Sequence, residues 1–195
     1  ELLKEHKLGY WQVQVRLYGD EALNKARAEV IKKAFKRHLD TPPHEELWRQ
    51  GDPVNQYDPT MGMPSAVALQ MGDWVGGRGA HMGFSPVVPS TSKHVLGQLK
   101  RSRQIIADHD VDFYASFTIS GRVCTNINML MYDRDKPEQV TNIRKMFDAL
   151  IEGTAKAGYG EYRTHLGWMA PANSTYNFNN GIQRRLNEKV KDALD

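Results

Sequence analysis

The chain has 195 residues, 40% of them hydrophobic, with 26 Lys and Arg against 23 Asp and Glu and a net charge of +3. That length supports one substantial core or two small ones sharing a sheet, and the interleaved charges exclude a polybasic stripe for nucleic acid. No run of 18 apolar residues is available to span a membrane, and the single cysteine, Cys124, excludes an internal disulfide and a cysteine metal site.

The first element is a half-buried strand over 10–18, where Trp11, Val13, Val15 and Leu17 alternate with Gln12, Gln14 and Arg16. Gly19-Asp20 leads into a helix reaching about Leu39, with Leu23, Ala26, Val30 and Ala34 on its apolar face. Residues 41–64 hold five prolines and read as a long excursion, of the kind that is usually functional or disordered. Residues 73–89 are glycine-rich around Trp74 and His81, which suggests tight turning or close approach of the backbone. Gly76-Gly77-Arg78-Gly79 lacks the strand-to-helix setting of a dinucleotide fingerprint.

A second helix is expected over 90–109, then two alternating runs, 112–119 and 123–132, joined by a hairpin signal at Ser120-Gly121. Asp135-Lys136-Pro137-Glu138 starts a helix that directs Ile143, Phe147, Leu150 and Ile151 inward and ends near Gly158. A short strand or strand edge follows in Gly158-Tyr159-Gly160-Glu161-Tyr162-Arg163-Thr164-His165-Leu166. A last helix starts at about Asn180, with Ile182, Leu186, Val190 and Leu194 on one side. The order implies an α+β fold: an antiparallel sheet covered on one face by helices, built as ferredoxin-like halves and occupying 1–195 as one domain.

Tyr162 and Arg163 carry the chemistry of this sequence. A permanently charged guanidinium with five donors beside a phenolic O–H makes a receptor for a small oxyanion, carboxylate or phenolate. On local chemistry alone the default is a structural salt bridge for Arg163 and a core-edge position for Tyr162. His165 could approach such a site, although a satisfied structural histidine is the simpler reading. Trp168 and the Met61 and Met63 pair could line an aromatic pocket or simply pack.

Three stretches carry a family resemblance: Asp73-Trp74 through Ala80-His81 to Phe84-Ser85-Pro86, then Gly158 to Leu166, then Tyr176-Asn177-Phe178-Asn179-Asn180 with Leu186-Asn187-Glu188. Together they resemble the cap, or substrate, domain of the vanillyl-alcohol oxidase and 4-cresol dehydrogenase family of flavoproteins. The likeness implies that the chain is a piece of a longer protein, with an FAD-binding domain before residue 1 and a short tail after Asp195. It implies oxidation of para-substituted phenols, 4-alkylphenols and vanillyl-type alcohols, by hydride transfer from the benzylic carbon to FAD through a quinone methide.

Residue by residue, Tyr162 and Arg163 match the catalytic pair that binds the phenolate oxygen. His81 matches the histidine that bonds covalently to the flavin, a role within reach of a neutral imidazole. Trp74, Thr125 and His165 are the substrate-pocket candidates. The electron acceptor would be dioxygen or a cytochrome, and the enzyme a homo-oligomer, soluble, with the cytoplasm the favoured compartment. Two departures from the family pattern stand out. Thr125-Asn126 occupies the place of a His-His pair, and Ala68, or a position within one residue of it, that of an acidic residue. The other readings are an FAD-linked dehydrogenase of a hydroxy acid or sugar lactone, with a carboxylate on Arg163, and a catalytically silent interaction module.

Overall fold

The computed structural model describes residues 13, 15–38, 43–53 and 66–194. They fall in two compact units, Glu1–Val67 and Ala68–Asp195. In the first unit, helix α1 (Glu21–Phe35) is capped by Asp20, whose Oδ1 accepts from the Leu23 amide at 3.0 Å. Ion pairs join Glu21 to Lys25 and to the Arg49 fork, where the Nε and Nη2 contacts measure 3.1 and 3.2 Å. The face expected to be apolar is open: Leu23 and Val30 are exposed and α1 buries no residue. Exposed salt bridges, not burial, accompany this helix, and such pairs contribute little individually. The strand expected over 10–18 does not form at its described residues, 13 and 15–18, and Val13 and Val15 are exposed. Alternation signals a strand only where a neighbouring strand and a core accept it. Met61 and Met63 lie outside the described residues.

A 3-10 helix (Val67–Val75) starts at the last residue of the first unit, and the second continues with β1 (Gly79–Phe84), β2 (Pro86–Pro89) and α2 (Ser92–Asp108). Then come β3 (Ala115–Ser120), β4 (Val123–Asp133), α3 (Pro137–Lys156) and β5 (Gly160–Glu161). A 3-10 turn (Leu166–Trp168), α4 (Met169–Ser174) and α5 (Phe178–Leu194) complete it. β1 and β2 hold one continuous register against β4, from Gly79 opposite Asp133 to Pro89 opposite Val123, so they are one strand line interrupted at Ser85. β3 pairs with the other edge of β4, and β5 pairs with β2, all antiparallel. The order β5, β1–β2, β4, β3 with two crossing helices is the ferredoxin-like arrangement. A single such half is present among the described residues.

The core lies between the sheet and helices α2 and α3. Met82, Phe84, Leu130 and Ile106 meet Ile143, Met146, Phe147 and Leu150, with the Phe84 and Phe147 rings edge-on at 5.6 Å. All four residues expected to face inward from α3 are buried. The start of α3 is organised differently from a side-chain cap: Asp133 Oδ1 accepts from the Arg78 and Asp135 amides, each at 3.0 Å. Gly77, at φ +58°, lies so close to the Asp133 carboxylate that a Cβ there would collide with it. The β3–β4 hairpin turns through Gly121-Arg122, one residue later than its sequence signal. On α5, Asn179, Asn180 and Gly181 are left-handed, and Ile182, Leu186, Val190 and Leu194 remain exposed. Among the described residues no helix is long and apolar enough to cross a membrane.

Candidate functional site

Alternation along β4 sends Cys124, Asn126, Asn128 and Leu130 toward the helices, where all four are buried. Thr125, Ile127, Met129 and Met131 face the other way and are only partly covered. The opposing strand line adds His81 opposite Met131, Gly83 opposite Met129 and Val87 opposite Thr125. This face is therefore a mixed shelf: Val87, Ile127, Met129 and Met131 lie beside the His81 imidazole, with the hydroxyls of Thr125 and, across β4, of Ser116 and Thr118. A Cβ at Gly83 would meet no atom within 4 Å, so the shelf is flat there.

The Thr125-Asn126 pair splits across the sheet. Thr125 stays on the open face. Asn126 is fully buried, and its Oδ1 accepts from Ser102 at 3.4 Å and from Asn128 Nδ2 at 3.2 Å. That amide belongs to a buried polar network that continues through Gln98 to Thr154 and Arg101.

Tyr162 and Arg163 follow the last residue of β5, so strand alternation no longer separates them. Both are exposed, Tyr162 at 54%, and the Arg163 guanidinium carbon lies 5.7 Å from the centre of the Tyr162 ring. Among the described residues Arg163 closes no ion pair with a carboxylate. Neither a structural salt bridge nor a core-edge position describes this pair. Tyr162 borders an open cavity of about 430 Å³, with Glu161, Thr164, Met169, Tyr176 and Asn187 also on its walls.

The other candidates are dispersed. Thr125 lies in one cross-sheet row with Val87 and Gly160, ~10 Å and two strand spacings from the start of β5. His81 shares Thr125's face but sits six residues further along, ~20 Å away. Trp74 is 75% exposed and donates from Nε1 to Asp112 Oδ2 at 3.1 Å. His165 is used locally: its Nδ1 accepts from the Gly167 amide at 3.1 Å and its ring meets Trp168 edge-on at 5.6 Å. Trp168 packs on Phe147 at 4.7 Å and donates to Asp148, so it belongs to the core edge.

Sequence reasoning passed over Glu161. It is 8% exposed, its Oε1 accepts from the Ser85 amide at 3.0 Å, and its carbonyl accepts from the Tyr176 hydroxyl at 2.6 Å. Burial pushes its carboxyl up from an ordinary 4.5 to about 7, against the opposing pull of the Ser85 amide, the Thr164 hydroxyl and the Arg163 charge. Burial likewise raises the Tyr176 phenol, and the Glu161 charge adds to it. The signal in the sequence was positional: in a strand Glu161 must face the opposite way from Gly160, where the glycine leaves room for the Tyr176 ring.

No family model matches the chain. Among curated proteins it is similar to the 4-cresol dehydrogenase [hydroxylating] flavoprotein subunit of Pseudomonas putida, with 24% identity over 200 residues. That alignment takes in all of this chain and 37% of the relative, so the chain spans a little over a third of that protein's length. Among solved structures it is similar to 4-ethylphenol oxidase from Gulosibacter chungangensis in complex with isoeugenol. There the TM-score is 0.75 at 28% identity, over 91% of this chain and 35% of the other. The fold is also shared with p-cresol methylhydroxylase with substrate bound, at TM-score 0.70 and 23% identity, over 92% of this chain and 34% of the other. Sequence and fold together relate this chain, along nearly its whole length, to the vanillyl-alcohol oxidase and 4-cresol dehydrogenase family, as a match to its cap domain.

Proposed function

We propose that this chain is the substrate-side part of a flavoprotein that oxidises para-substituted phenols, and that Tyr162 and Arg163 bind the phenolate oxygen. The observation that carries this reading is the exposed pair just beyond the end of β5, with the guanidinium carbon 5.7 Å from the centre of the phenol ring and, among the described residues, no carboxylate bonded to it. A charge-assisted donor and a phenolic O–H can address one oxygen from there. Lowering a phenol pKa from ~10 to ~7 takes about 4 kcal/mol of differential stabilisation, within reach of a guanidinium in a dry site. The similarity to 4-cresol dehydrogenase and 4-ethylphenol oxidase supports the substrate class.

The open face of the sheet offers a planar flavin a shelf whose apolar part, Ile127, Met129 and Met131, adjoins the uncrowded Gly83, with His81 at one end. FAD would supply the hydride acceptor for the benzylic carbon. This chain's residues would orient the phenol, stabilise its oxyanion and exclude water. His81, presented on that face, is the candidate for a covalent link to the flavin through its imidazole nitrogen. Dioxygen or a cytochrome would take the electrons onward.

The test is an anaerobic titration of the flavoprotein containing this chain with 4-ethylphenol and with vanillyl alcohol, following loss of the oxidised flavin spectrum. Rapid bleaching by either establishes para-phenol oxidation. An oxidised flavin that persists with both rejects it and points to a carboxylate substrate on Arg163.

A further inference from the structure

Three hydrogen bonds converge where β1 gives way to β2. Asn128 Nδ2 donates to the Phe84 carbonyl at 3.2 Å, the Ser85 amide donates to Glu161 Oε1 at 3.0 Å, and the Tyr162 amide donates to the Ser85 carbonyl at 3.3 Å. The last two run in opposite directions and staple residues 161–162 to the interruption in the strand. The Tyr176 hydroxyl holds the same segment from its outer side through the Glu161 carbonyl. Tyr162 and Arg163 are thus projected from a point that the Glu161 side chain helps to define.

The carboxyl has an unused half. Oε2 of Glu161 is buried without a hydrogen-bond partner, and so is Oγ1 of Thr164, which influences the carboxyl without closing a well-formed bond. Glu161 also borders the cavity that Tyr162 borders. The titratable and charged groups around it are Arg163 on its own segment, Tyr176 ahead of α5, and Tyr159. Tyr159 is itself bonded to His94 of α2 at 2.5 Å and lies under the Arg101 guanidinium.

We infer that Glu161 is a positioning residue for the Tyr162–Arg163 pair, and that its protonation state controls how strongly Arg163 attracts the phenolate oxygen. This rests on the phenol reading above. With Glu161 neutral, the Arg163 charge is uncompensated by its neighbour and acts on the ligand. With Glu161 ionised, an anion two residues before Arg163 and within reach of its field offsets part of that field and repels the incoming oxyanion. The burial that holds the carboxyl neutral to about pH 7 places the change in the neutral range.

The experiment uses the holo-flavoprotein and its Glu161→Gln variant with 4-bromophenol, which lacks a benzylic hydrogen and so binds without turnover. Dissociation constants are read from the flavin spectrum between pH 5.5 and 9. Gln keeps an acceptor for the Ser85 amide. The ratio of wild-type to variant Kd cancels ionisation of the ligand. The ratio should be near 1 at low pH and rise roughly five-fold through a midpoint near 7. A flat ratio with measurable binding overturns this inference and leaves the phenol reading standing. No binding by either protein removes the phenol reading and this inference with it. Independently of the variant, an infrared titration of wild type should lose a protonated-carboxyl band near pH 7, and 4-bromophenol should raise that midpoint by reciprocity. A midpoint that 4-bromophenol does not move overturns the inference.

Discussion

The Ser85 amide donates to Oε1 of Glu161 at 3.0 Å, so a side chain, not a backbone carbonyl, completes hydrogen bonding where the first strand line is interrupted. Chain continuity passes directly from that carboxyl to Tyr162 and Arg163. Architecture and candidate chemistry therefore meet within three residues.

Stability should depend on pH through this contact. The folded carboxyl titrates at about 7, above its ordinary 4.5, so the fold favours the neutral form. The contribution is complete below the unfolded value and is lost as pH rises through the interval up to 7. Glu161→Gln removes that loss. At pH 8.5 the variant should be more stable than wild type by about 2 kcal/mol, after allowing for residual solvent contact, and at a pH of about 3.5, below the unfolded value, the difference should vanish. Urea denaturation at both pH values measures it, and a pH-independent difference would contradict the assignment.

Gly160 should be intolerant of a side chain. A Cβ there would collide with the Tyr176 ring, whose hydroxyl is engaged with the Glu161 carbonyl. Gly160→Ala should cost about 2 kcal/mol through overpacking. Combining it with Tyr176→Ala should cost less than the sum of the two single changes, since both relieve or break one contact. Additive costs in thermal denaturation would show that the approach is not tight.

Arg163→Ala should lower kcat/KM for 4-ethylphenol by about 100-fold, roughly 3 kcal/mol, and move the rate profile to higher pH. Arg163→Lys should recover part of this, because the charge returns without the fork. Steady-state kinetics on the holo-flavoprotein with near-normal turnover for the alanine variant would end the proposed role.

His81→Ala should leave the fold intact, since the side chain stands on the open face opposite Met131, away from the core. The flavin of this variant should be released by acid precipitation, whereas wild type keeps its colour in the pellet. Retention of colour by the variant would exclude His81 as the attachment point.

Trp74→Phe should not alter KM for the phenol. The indole is exposed and its hydrogen bond goes to Asp112, so the change removes a surface contact worth at most about 1 kcal/mol. A large rise in KM would return Trp74 to the substrate pocket.

Local sequence sufficed for much of the second unit. The 3.6-residue spacing of Ile143, Phe147, Leu150 and Ile151 was enough to place α3 and its buried face. The alternation over 112–132 was enough for the hairpin, and Tyr162-Arg163 stood out by its chemistry. Similar patterns misled where no partner element covers them among the described residues. Val13 and Val15 alternate without a strand, and Leu23 with Val30 and Ile182 with Leu186 form helical stripes that stay exposed.

Only the tertiary structure decided where β5 stops, that Asn126 turns into the polar core while Thr125 faces out, and that Glu161 reaches Ser85. Residues 85 and 161 are far apart in sequence, and their contact depends on the register of β2 against β5. A one-residue slip would reverse every side chain on that edge. Periodicity is a property of neighbours along the chain, so it specifies elements. Register, strand ends and the burial of a lone carboxyl are properties of neighbours in space, and they determine which groups meet at this site.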